Sequence, residues 1–202
     1  MKRSIGIGKR IEGVLVSCLL FVFLTGCNEE IQLRDGTNIQ LEKEGGVTVT
    51  YIEEFPSDYY DVSELAEMNA EEVAEYNSLV GEEAVTVIST TTDGSKVTLA
   101  MHFSDMEDYG DMNSIPVYNG TVSQAIAMGY EFGKTFTDAK SGESLTDINW
   151  DELANKHVVI VDGPVCVYPF SKIEMGTDNV TVSEDRKVAT VTNEEQAVIV
   201  FK

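Results

Sequence analysis

The stretch AVTVISTTTDGSKVTLAMHF, residues 84–103, decides how this chain is to be read. Two runs rich in Val, Thr and Ile flank the dipeptide Asp93-Gly94, and Asp-Gly between such runs is the strongest short-range hairpin signal. The spacing predicts a two-residue turn at Asp93-Gly94 joining antiparallel strands near residues 85–91 and 96–103. Both central positions of a type I′ turn need positive φ, which Asp tolerates and Gly takes freely.

On the N-terminal side, IQLEKEGGVTVTYIEEF (39–55) alternates around Gly45-Gly46 and predicts a first hairpin. YYDVSELAEMNAEEVAEYNSLVG (59–81) changes to helical spacing. Leu65, Met68, Val73, Tyr76 and Val80 fall on one side, Glu64, Glu67, Glu71 and Glu75 line another, and Gly81 ends the helix. A capping box of Asn69 with Glu72 would divide this segment into two shorter helices. On the C-terminal side, Thr121 as N-cap, Gln124 three residues on and Gly129 as a stop predict a short helix. Asn149 and Glu152 repeat that pattern before the apolar strand HVVIV (157–161). Pro164 and Pro169 push their own segment toward a sheet edge or a bend. The tail, 179–202, reads as short strands joined by polar turns, a meander that ends the chain as a strand. Strands, then helices, then strands predict a single α+β domain, mainly antiparallel, with two to four short helices and a C-terminal β-meander.

The N-terminus carries a different message. Lys2, Arg3, Lys9 and Arg10 precede eleven apolar-run residues, 14–24. That run is too short for a membrane-spanning helix, which needs about 20 residues, and suits a signal-peptide core. Leu24-Thr25-Gly26-Cys27 follows directly and resembles the lipobox of bacterial lipoproteins. The resemblance implies cleavage before Cys27 and lipidation of its thiol, hence a membrane-anchored chain on the extracytoplasmic face. The expected organisation is a signal peptide at 1–26, a lipidated N-terminus and polar linker at 27–38, and one domain at 39–202. The segment GTVSQAIAMGYEF (120–132) followed by the strand-rich tail is similar to small lipoproteins of Firmicutes over about residues 95–202. That group has no agreed activity, so the resemblance bears on compartment alone.

Without residues 1–26 the chain would hold 10 basic and 34 acidic side chains, a net charge of −24. Residues 44–133 carry −17 of it, with Lys96 the single basic residue among them. Such a balance excludes nucleic acid and flat adsorption on anionic lipid as partners, because both require cationic footprints. Two readings are open: a solvated face that serves solubility, or a surface for a basic peptide, a polyamine or a divalent cation.

Catalytic patterns are lacking. Beyond the signal segment there is no nucleophile elbow, phosphate-binding loop or His-Glu-x-x-His motif. His102 and His157 lie 55 residues apart in expected strands, and Cys166 sits in an apolar run as a small buried hydrophobe. The best metal candidate is SDMEDYGDMN (104–113), whose Asp105, Glu107, Asp108 and Asp111 offer hard oxygen donors of the kind calcium prefers, on an expected acidic loop. It is not an EF-hand, since Tyr109 stands at the fifth position and Pro116 at the twelfth. YIEEFPSDYYD (51–61) interleaves Tyr51, Phe55, Tyr59 and Tyr60 with carboxylates, either as cover for the core or as a platform for sugars or basic peptides. The sequence therefore points to a lipid-anchored, extracytoplasmic acidic domain with a binding or envelope-structural role. The alternative is a surface hydrolase acting on wall or glycan material through paired carboxylates.

Overall fold

Alternating apolar residues form the first hairpin around a five-residue connection: β1 (Gly36–Leu41) pairs antiparallel with β2 (Val47–Glu54), Leu41 opposite Val47. A computed structural model describes residues 31–55, 61–133 and 135–202. Of these, Leu33–Lys202 form one compact unit. Residues 1–30, Cys27 among them, and Tyr59 and Tyr60 lie outside the described residues.

After β2 come α1 (Val62–Val80), β3 (Val85–Asp93), β4 (Lys96–Phe103), α2 (Met106–Asn113), β5 (Tyr118–Thr121) and α3 (Val122–Ala127). The remainder is strand: β6 (Phe136–Asp138), β7 (Ser144–Leu145), β8 (His157–Val161), β9 (Val165–Tyr168), β10 (Ile173–Thr177), β11 (Val180–Val182), β12 (Ala189–Val191) and β13 (Ala197–Phe201). One sheet has the order β11-β12-β9-β1-β2-β4-β3 and the other β5-β8-β13-β10-β6-β7. The α+β class with mainly antiparallel pairing is thus the observed one.

The two sheets share a core of Ile39, Val47, Val49, Phe103, Ile199 and Phe201 with others. The second sheet buries its other face as well. Val158, Ile160, Val198 and Val200 point into a separate core with Val122, Ala125, Phe132 and Phe136. Successive strand residues face opposite sides, so a strand covered on both faces is apolar throughout. That explains HVVIV and AVIVF, uninterrupted where β1 and β2 alternate.

The Asp-Gly hairpin forms, shifted by one residue. Asp93 pairs with Lys96, which leaves Gly94-Ser95 as the connection, and φ is positive at Gly94 alone. This is the type II′ signature, with glycine first, in place of type I′. Gly94→Val is expected to cost about 1–2 kcal/mol, because a β-branched residue is forced into a left-handed conformation. An added Cβ would meet nothing within 4 Å, so the cost is purely backbone strain. Urea unfolding measures it, and an unchanged midpoint would contradict the positive φ.

Other expectations change under tertiary context. α1 is a single helix, with Asp61 as N-cap accepting from the Ser63 N–H and Gly81 ending it in the left-handed region at φ 82°. Asn69 starts no new helix, because its neighbours Ala66, Glu67, Met68, Ala70 and Glu71 include strong helix formers that favour continuation. Thr121 and Gln124 do form a reciprocal capping box, and Gly129 follows the helix at φ 92°. Asn149 and Glu152 meet through their side chains, 2.8 Å apart, yet residues 150–154 remain a run of turns. The prolines bracket β9 instead of pushing it outward. β9 lies inside its sheet, parallel to β1 and antiparallel to β12, since Pro164 and Pro169 stand just outside the hydrogen-bonded residues. The tail does form strands, but they divide between sheets: β11 and β12 join the first, β13 the second. The polar linker is also shorter than the sequence suggests, as β1 begins at Gly36 and Arg34 is already tied to Asn38.

Candidate functional site

A cavity of about 390 Å³ opens at the β6–β7–β10 end of the second sheet. Asp138, Asp147, Glu152 and Glu174 line it, with Leu145 and Met175 among the apolar lining; none of its lining residues is basic.

Each carboxylate is placed by local structure. Asp138 ends β6, and its Oδ1 accepts from the Lys140 N–H (2.9 Å), the Ser141 N–H (2.7 Å) and the Ser141 hydroxyl (3.1 Å). Those donors form an Asx-type turn that leads into β7. The Ser141 backbone donor, then that of Lys140 and the Ser141 hydroxyl, with the Arg186 charge beyond, hold the Asp138 carboxyl below the usual carboxylate range despite its partial burial. Asp147 and Glu152 sit on the loop that Trp150 pins down, its ring 4.6 Å from Phe132 and 5.2 Å from Phe136. Glu152 accepts from Asn149 Nδ2 at 2.8 Å. Glu174 lies on β10 and takes a charged hydrogen bond from Lys156 Nζ at 2.8 Å. A cationic or hydrogen-bond-donating ligand suits this lining. General-acid chemistry would need a carboxyl with its proton affinity raised, and Asp138 is displaced in the opposite direction.

Sequence reasoning named none of these four residues as a site. Thr137-Asp138 with Ser141-Gly142 carries a legible turn signal, but the meeting of 138, 147, 152 and 174 depends on the packing of β6 beside β10 and on Trp150.

The calcium candidates lie on a helix instead of a loop. Asp105 is the N-cap of α2, its side chain accepting from the Asp108 N–H at 2.9 Å. Glu107 and Asp108 occupy the first turn, where the helix dipole favours acidic groups. Asp105, Glu107 and Asp108 therefore have a local role in starting α2, whereas Asp111 lies near its C-terminal end. Asp108 also accepts from the Tyr76 hydroxyl at 3.0 Å, which links α2 to α1. Desolvation, then the charges of Asp105 and Glu82, push the Asp108 carboxyl upward against the Tyr76 hydrogen bond. Desolvation and the bond to Asp108 push the Tyr76 phenol up to about 12. Among the described residues, no group of three or more His, Cys, Asp or Glu is arranged to hold a metal ion.

Where they are described, the remaining candidates lie on strands or directly flank them. His102 lies on β4 with its Nε2 3.6 Å from Glu42 Oε1. His157 begins β8 and stacks on Phe201 at 5.5 Å. Cys166 is buried in β9 with Sγ 3.8 Å from Thr190 Oγ1. Tyr51 and Phe55 are half-buried; Tyr51 packs against the shared core, and its hydroxyl donates to Asn113 at 3.4 Å. No helix of the described residues is long and apolar enough to cross a membrane. Compared with known protein families, curated proteins and solved structures, the chain matches none.

Proposed function

We propose that this chain is a lipid-anchored, extracytoplasmic acidic domain with a binding role, tethered to the cell membrane through Cys27, whose pocket at the β6–β10 edge takes a small cationic ligand. The carrying observation is four carboxylates around a 390 Å³ cavity that has apolar lining and no basic side chain. A few convergent polar groups over apolar surface are what small-ligand sites share. Polyamines are the ligand class that fits, since among the described residues no group of three or more carboxylates is arranged to hold a metal ion. The tether rests on the Leu24-Thr25-Gly26-Cys27 motif behind its apolar run, and two acyl chains would hold such a domain stably.

One experiment has two arms. Fatty-acid labelling of cells should mark the wild-type chain and leave Cys27→Ala unmarked; equal label would overturn the anchor. Calorimetry of the detergent-solubilised chain with spermidine should show binding that falls at least about tenfold, or 1.4 kcal/mol, in the double variant Asp147→Asn, Glu152→Gln. Binding that vanishes instead with Asp105→Asn, Asp108→Asn would move the cation to α2. Turnover of wall glycan, abolished by the pocket variant, would favour the hydrolase reading.

A further inference from the structure

α1 is committed on one side only. Val73 is its one buried residue, and Asn77 holds the start of the edge strand β3, donating to the Val85 carbonyl (2.8 Å) and accepting from the Val85 N–H (2.9 Å). Tyr76 makes the bond to Asp108 already described. These contacts fix which side of the helix turns away from the sheet.

On that outer side stand two large apolar side chains, Met68 at 53 % exposure and Leu79 at 78 %. They are three helical turns apart on nearly the same azimuth, about 16 Å along the axis. Glu64, Glu71, Glu72 and Glu75 surround them at helical i±3, i±4 and i±7 spacings, all exposed. α1 contains no basic residue, none lies in its last turn, and Glu82 and Glu83 follow its C-terminus. The pairs Glu67–Glu71 and Glu71–Glu75 are like charges one turn apart, which destabilises a helix, and acidic groups beyond the C-terminus oppose the macrodipole. Among the described residues none of Glu64, Glu71, Glu72 and Glu75 has an ion-pair partner, so the exposed apolar pair stands amid unpaired negative charge.

We propose that this outer face of α1 is a docking surface for a basic, amphipathic polypeptide segment, whose apolar side chains cover Met68 and Leu79 while its Lys or Arg side chains meet Glu64, Glu71, Glu72 and Glu75. The charge complementarity selects this occupant. A second copy would bring identical carboxylates against these, and an anionic lipid surface would be repelled. Helix-on-helix recognition uses apolar anchors along one face of a helix, with the apolar pair setting specificity and the charges setting encounter rate. The surface is separate from the pocket and does not depend on it.

The test uses the full-length chain in nonionic detergent and a fluorescent 18-residue Leu–Lys amphipathic peptide as probe, followed by anisotropy at about 150 mM salt, where the Debye length is about 8 Å and diffuse attraction is damped. Met68→Gln with Leu79→Gln should weaken binding at least about tenfold. Both sites are exposed and Gln is a good helix former, so circular dichroism should be unchanged. Glu71→Gln with Glu75→Gln should weaken binding and flatten its salt dependence, whereas Asp147→Asn with Glu152→Gln should leave it intact. Oligolysine of equal charge binding as tightly as the probe would reduce the surface to diffuse charge and overturn the proposal. So would an unchanged affinity in the Met68, Leu79 variant. Self-association in sedimentation, or adsorption to phosphatidylcholine vesicles, that is lost with that same variant would assign the face to another occupant and overturn it equally.

Discussion

Truncating Phe201 to alanine is expected to lower stability by about 3–5 kcal/mol, the range for removing a fully buried aromatic side chain. Phe201 is the last residue of its strand. That strand, β13, lies between β8 and β10 and is hydrogen-bonded antiparallel to both. All five residues of β13 are buried, and Phe201 has no exposed surface. Its ring stacks on His157 at 5.5 Å and meets Phe170 edge-on at 5.2 Å. A domain is typically stable by about 5–15 kcal/mol in all, so the substitution removes a large share. Urea unfolding should show a lower midpoint with an unaltered slope, and the melting temperature should fall by roughly 10 °C. A loss under 1 kcal/mol would mean that β13 does not hold the centre of its sheet.

Asn38→Ala should cost about 3 kcal/mol although it removes little apolar surface. The Asn38 side chain is wholly buried. Its Nδ2 donates to the carbonyls of Arg34 (2.7 Å), Gly36 (3.0 Å) and Thr50 (3.2 Å), and its Oδ1 accepts from the Arg34 N–H (2.9 Å) and the Tyr168 hydroxyl (3.1 Å). Alanine strands several of these groups, each worth about 1–3 kcal/mol when left unsatisfied and buried, with partial relief from an entering water. Asn38→Asp separates donor from acceptor. An aspartate there faces three carbonyl oxygens with no donor to offer unless it is protonated. Its folded pKa would lie above its unfolded value, so the folded state binds the extra proton. Stability would then fall as pH rises from about 4 through the folded pKa. Asn38→Asp should be closer to wild type at pH 4.5 than at pH 7, when each is compared with wild type at the same pH. Equal losses at both would show that the donors are not what Asn38 contributes.

Neither residue stands out in the chain as written. Asn38 sits in NEEIQLRDGTN, a polar stretch without periodicity that reads as a linker. Its value comes from the parallel pairing of β1 with β9, which carries Tyr168 across 130 residues to its side. The pocket has the same origin. Thirty-four acidic residues lie beyond residue 26, and no spacing among Asp138, Asp147, Glu152 and Glu174 marks them as neighbours.

What the sequence determined by itself is local, because the energies involved act between residues a few positions apart. The Asp93-Gly94 hairpin and the glycine-centred hairpin before it follow from alternation and turn chemistry. The Thr121–Gln124 capping box and the Gly81 stop follow from backbone donors and acceptors that only those residue types can satisfy. The α+β class follows from the order of such elements along the chain. Even here tertiary structure retuned details: pairing of Asp93 with Lys96 moved the turn to Gly94-Ser95, and α1 ran through Asn69 unbroken. What the tertiary structure alone decided is which faces are buried together. Strands 180–191 left the sheet of their neighbours, β9 took an interior place between two prolines, and the acidic segment 105–111 became a helix capped by its own aspartate. These choices depend on area buried between elements far apart in the chain. A single sequence carries that area only as the uninterrupted apolar runs of β8 and β13, strands covered on both faces.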